Sequence, residues 1–179
     1  MTRVHAHTAH AVAVAAGSKR TRHTAAGKPA ANVPQAKLVH GLVAQAKGAH
    51  AKVLAEAIGM LIVPDADGGR TITQAEFDVA AGAIMALPED DVARVASAGV
   101  ALHLEPAASL GQGLLGATKI IQGADGRWQP QVIHVAAQAN LAGTESLTEI
   151  VQHEFGHAIS VLTQQDRSEA AAIAYAASH

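Results

Sequence analysis

The sequence contains no cysteine. Disulfides are therefore excluded, no thiol can serve as a nucleophile, and any metal must be held by His, Asp or Glu. Aromatic residues are nearly absent: Phe77, Trp128, Phe155 and Tyr175 are all there are. With so few rings the core must pack small aliphatic side chains, alanine above all, and deep aromatic specificity pockets are not expected. No apolar run approaches the ~20 residues that a membrane-spanning helix needs. Residues 9–17 are apolar but short, and histidines interrupt what precedes them, so they read as no Sec-type signal. Neither sign of charge dominates, with 13 basic and 15 acidic residues and a net charge of −2. This balance gives no electrostatic case for nucleic acid or an anionic membrane as partner. A cytoplasmic location and export without a Sec-type signal both fit.

What is present is one domain's worth of chain with helical and strand-like segments in succession. Residues 1–34 show neither period and read as a disordered tail; its His5, His7, His10 and His23 resemble a weak metal-binding tract. Residues 35–179 are expected to form the domain. Residues 35–62 carry apolar side chains at helical spacing, interrupted by Gly41 and Gly48. After the turn-rich stretch 64–69, Thr73 and Glu76 make a capping box with Ile72 and Phe77 as its staple, opening a helix to about Leu87. A short helix follows at 89–97. Residues 99–104, 116–121 and 131–137 read as strands, the last two joined through Gly123-Ala124-Asp125-Gly126. Ser146 and Glu149 then box the start of a helix at 147–163, and Asp166 with Glu169 are expected to cap a last helix at 167–178. This order predicts an α+β fold with a small antiparallel sheet.

The chemistry concentrates in His153-Glu154-Phe155-Gly156-His157. Histidines four apart on a helix project from one face and can grip one zinc ion. Zinc would lower the pKa of a bound water from about 15.7 toward ~7, and Glu154 is placed to take its proton. With 11 histidines in the chain the pattern can arise by chance, but it lies inside a well-capped helix. A catalytic zinc generally takes three protein ligands. Asp166, Glu169 and His179 are the candidates for the third; Asp166 suits an N-cap, and Glu169, on a helix that can fold back antiparallel, is favoured because His-His-carboxylate catalytic zinc sites are well attested. Tyr175, six residues on, is a candidate oxyanion donor.

On these residues the chain resembles the zincin metallopeptidases, and within them the anthrax-lethal-factor-like group that includes the Pro-Pro endopeptidases. The resemblance spans about residues 84–178. It rests on HEFGH followed by Ala158-Ile159, on the strands at 99–104 and 131–137, and on the stretch Ser168–Ala176. It implies a zincin-like fold, zinc held by His153, His157 and Glu169, Glu154 as general base, and a peptide or protein substrate. It also implies that the strand at 131–137 borders the cleft and pairs with an extended peptide. The 11 residues between His157 and Glu169 are fewer than is usual in that group, and its tyrosine ahead of the glutamate has no counterpart here. A monomer acting on peptide bonds, with a shallow cleft suited to small side chains, is the expected function.

Rival patterns are weaker. Asp65, Asp67 and Glu76 fall at the first, third and twelfth positions of a calcium loop, but Gly69 and Arg70 occupy the fifth-position ligand and the glycine turn. A non-catalytic calcium-binding or interaction module, or a zinc-binding pseudoenzyme, is the alternative this leaves. Gly111-Gln112-Gly113-Leu114-Leu115-Gly116 matches a dinucleotide fingerprint in spacing, yet β-branched residues follow where a helix is required. Ser160 has no nucleophile elbow. His103 and His134 alternate with apolar residues and read as half-buried sheet positions.

Overall fold

The computed structural model describes residues 34–65, 70–106, 110, 114–137 and 146–179. The expected tail, Asp67 of the calcium-like loop and the first glycines of the 111–116 motif lie outside these residues. Six helices and four strands follow in the order α1 (Gln35–Gln45), α2 (Ala49–Leu61), β1 (Ile62–Pro64), α3 (Gln74–Met85), α4 (Glu89–Ser97), β2 (Ala101–Glu105), β3 (Gly116–Gln122), β4 (Trp128–Ala136), α5 (Leu147–Gln164) and α6 (Glu169–Ala176). The fold is α+β, as its sequence pattern indicates. Among the described residues no helix is long and apolar enough to cross a membrane.

The helical spacing over 35–62 forms two helices, broken at the second of the two glycines, and Ile62 already belongs to β1. Gly48 takes φ 92°, a left-handed value open to glycine, and turns the chain between α1 and α2. The two best-marked helix starts are built as the sequence predicts. In both Thr73/Glu76 and Ser146/Glu149 the hydroxyl accepts from the N3 amide and the glutamate accepts from the cap amide. Burial holds the Glu76 carboxyl up, but hydrogen bonds from the Thr73 amide, Arg70 and the Thr73 hydroxyl outweigh it and keep its pKa below the usual value. The Ser146 amide and hydroxyl do the same for Glu149.

The sheet departs from the expectation. Its order is β1-β2-β4-β3; β1/β2 and β2/β4 run parallel, and only the hairpin β3/β4 is antiparallel. The sheet is therefore mixed. The hairpin could be read because its partner is the next strand along the chain. The parallel pairs join segments separated by helices or by β3, and local spacing carries no signal of them. β1, only three residues long, grows directly out of α2.

Alternation sorts the sheet into two faces. Leu102, Leu104, Ile133 and Val135 are buried with Phe77, Ile84, Ile150, Val151 and Phe155 in the main core. β3 turns Gly116, Thr118 and Ile120 toward that same side, where Thr118 meets α5. His103, Glu105, Ala117, Lys119 and His134 occupy the half-buried opposite face.

Candidate metal centre

Helix α5 is buried along nearly its whole central length, from Ile150 to Val161, because it crosses the sheet on one side and packs against other helices on the rest. His153 and His157 lie one turn apart on it with ring centroids 4.9 Å apart and planes at 84°. Their side chains are 12 % and 2 % exposed. Such burial requires a compensating partner, and α6 supplies one. The Glu169 carboxylate lies 3.0 Å from His153 Nε2 and 3.3 Å from His157 Nε2.

Three features bring Glu169 there across so short a connection. Gln165 ends α5 in the left-handed conformation, at φ 57°, and reverses the chain. Its side chain accepts from the Trp128 amide (2.7 Å) and donates to the Trp128 carbonyl (3.2 Å), lashing the turn to β4, while the Arg167 guanidinium stacks 3.7 Å from the Trp128 ring centroid. Finally, Gly156 lets α6 come close: a Cβ there would stand 2.9 Å from the Ala172 carbonyl oxygen and 3.0 Å from its Cα. Glu169 is one turn before Ala172 on the same helix.

The expected Asp166–Glu169 capping box does not form. Ser168 is the N-cap, accepting from the Ala171 amide, and Asp166 accepts instead from the Ser168 amide at 2.8 Å. That hydrogen bond, with the Ser168 side chain, lowers the Asp166 pKa. Moving the cap two residues on makes Glu169 the first residue of α6 and leaves its carboxylate to face the imidazoles.

The residues fit a zinc ion. One ligand atom from each of His153, His157 and Glu169 lies within 4.8 Å of the others. Ligands at about 2.0–2.1 Å in a tetrahedron stand about 3.4 Å apart, close to the separations seen between Glu169 and the imidazoles. A His-His-carboxylate set, with no thiolate, is the donor chemistry of a catalytic rather than a closed structural zinc site.

Glu154 points to the sheet. It is 1 % exposed, and the Thr118 hydroxyl lies 2.7 Å from its carboxylate Oε2 and 2.9 Å from its backbone oxygen. Gly116 faces it so closely that a Cβ would come within 2.6 Å of Oε1. Sequence reasoning missed Thr118 and the role of Gly116, because both reach α5 from a strand more than 30 residues away. β4 is paired on both sides, so the peptide-pairing role expected of 131–137 is closed to that strand; among the described residues the outer strands of the sheet are β3 and the three-residue β1.

The remaining candidates fall elsewhere. The Tyr175 hydroxyl donates to Asp91 Oδ2 at 3.0 Å, and burial, then that hydrogen bond and charge, push its pKa well above the usual value. In this structure the hydroxyl expected to serve an oxyanion is engaged by Asp91. His179 meets Tyr175 edge to face with centroids 4.6 Å apart. In the calcium-like loop Glu76 is engaged by Thr73 and Arg70, and Asp65 by His103. Gly116 opens a strand, not a helix, which removes the dinucleotide reading. The chain matches no protein-family model, no curated protein and no solved structure.

Proposed function

We propose that this chain is a zinc-dependent peptidase of zincin type. One observation carries the reading: two imidazole Nε2 atoms from one helical turn and a carboxylate from the following helix face one another at 3.0 and 3.3 Å. His153, His157 and Glu169 would hold the ion. Bound zinc supplies Lewis acidity, polarising a substrate carbonyl and acidifying water.

The chain's own groups do the rest. Glu154 accepts the proton of the attacking water and passes it to the leaving amine nitrogen. Thr118, donating to Glu154 Oε2, fixes where that carboxylate points. The open edge of β3 offers amides and carbonyls to an extended peptide, which would add to the sheet as a further strand. The side chains near this edge are small, Gly116, Ala117 and Thr118, and they suit a shallow cleft over a deep pocket.

A second reading, a zinc protein without turnover, is favoured by the near-complete burial of Glu154. Glu154→Gln separates the two. The expected outcome is zinc retained and peptide-library hydrolysis reduced by about 10²–10⁴-fold, the usual contribution of a general base. Zinc retained with cleavage absent in both proteins, or unchanged by the substitution, overturns the peptidase reading.

A further inference from the structure

The sheet's other face holds a second convergence of metal-binding side chains, separated from HEFGH by the sheet itself. His103 on β2 and His134 on β4 are register partners on adjacent parallel strands, with ring centroids 5.4 Å apart and planes tilted by 53°. Glu105, two residues beyond His103, shares its face, and its carboxylate contacts His134 Nδ1. Asp65, just past β1, is anchored by its amide to the Leu104 carbonyl at 2.9 Å and lies 2.7 Å from His103 Nδ1. Donor atoms of His103, Glu105 and His134 all lie within 4.8 Å of one another.

Simple ion pairing explains this cluster poorly. His–carboxylate pairs with a partly exposed histidine contribute little by themselves. Two protonated imidazoles directly opposite on neighbouring strands repel. Two neutral imidazoles and a carboxylate, by contrast, form a donor set that suits a divalent transition metal. At His103 the Asp65 carboxylate on Nδ1 is placed as the carboxylate that usually orients a ligating histidine, fixing the tautomer that leaves Nε2 to the metal.

We propose that His103, His134 and Glu105 form a second divalent-metal site, with Asp65 as the positioning carboxylate of His103. An ion there joins β2 to β4 and, through Asp65, ties in the end of β1. It acts as a staple on the sheet's half-buried face. The inference is independent of the peptidase reading, because the two sites share no residue.

The test is zinc titration of the full chain by calorimetry, with His5, His7, His10 and His23 replaced by alanine in every protein compared. Two ions per chain are expected. His153→Asn with His157→Asn removes one and leaves the other. Glu105→Gln weakens the remaining ion at least 10-fold, and Asp65→Asn, which leaves all three ligands in place, weakens it by about 10–100-fold. X-ray absorption of the remaining zinc should show two imidazoles with oxygen donors, a readout that survives if a substituted protein folds poorly. A single ion lost with His153 and His157, a second ion indifferent to Glu105→Gln and Asp65→Asn, or a shell without two imidazoles overturns the proposal.

Discussion

Glu154 is held from above by a strand, and that fixes what small changes will do. Gly116→Ala places a methyl group 2.6 Å from Glu154 Oε1 and 2.7 Å from Cγ, so the carboxylate must swing aside. A displacement of about 1 Å in a reacting group can cost about 100-fold. Gly116→Ala is therefore expected to keep its zinc while kcat/KM on a cleaved peptide falls by about 10–100-fold; unchanged kinetics would mean that β3 does not position the base. Tyr175 gives the opposite expectation. Its protonated phenol donates to Asp91, and burial and that carboxylate both favour the neutral form. Tyr175→Phe should leave kcat intact and cost about 0.5–1.5 kcal/mol in denaturant unfolding, the worth of one hydrogen bond. A large fall in kcat would restore the oxyanion role. At this scale HEFGH was legible in the sequence because its geometry is local to one helix. Thr118 and Gly116 were not, since a threonine and a glycine acquire meaning only from what the sheet places beside them.

Between elements, the decisive contact is α6 against α5 at Gly156. Alanine there would meet Ala172 backbone atoms at 2.9 and 3.0 Å, which cannot rotate away as a side-chain tip can. Gly156→Ala should push α6 outward, cost about 1–3 kcal/mol through overpacking, and weaken zinc binding at least 10-fold as Glu169 withdraws. Equilibrium dialysis alongside thermal unfolding measures both. If stability falls and zinc affinity does not, Glu169 is not a ligand. Legibility at this scale was uneven. Thr73 and Ser146 announced α3 and α5 correctly because a capping box is complete within four residues. Asp166 misled, since Gln165 in the left-handed conformation and the Asp166–Ser168 hydrogen bond pass the cap to Ser168. β1 and the parallel pairings were invisible for want of any short-range signature.

For the whole molecule, the buried face relies on aliphatic and alanine packing, and helix ends contribute a pH-dependent share of stability. Glu76 and Glu149 both have pKa values lowered by hydrogen bonds that exist only in the folded chain. Groups depressed in this way stabilise fully above the ordinary carboxylate range and lose that contribution as pH falls through and below it. Thermal unfolding of the protein should be insensitive to these groups from pH 7 to about pH 5 and decline below that. Ser146→Ala should cost about 1 kcal/mol at neutral pH and flatten the acid decline, since Glu149 no longer has the hydroxyl to bind. An equally steep decline in Ser146→Ala would place the acid sensitivity elsewhere.

Trp128 is the chain's single indole. It is clasped by Gln165 through both of its peptide groups and covered by the Arg167 guanidinium, the two residues flanking Asp166 in the connection that delivers Glu169. Whatever loosens that connection also changes the polarity and the cation beside the ring. The protein thus carries an intrinsic fluorophore on the connection that sets Glu169 against the imidazoles, and its emission reports the integrity of that connection without any label being attached.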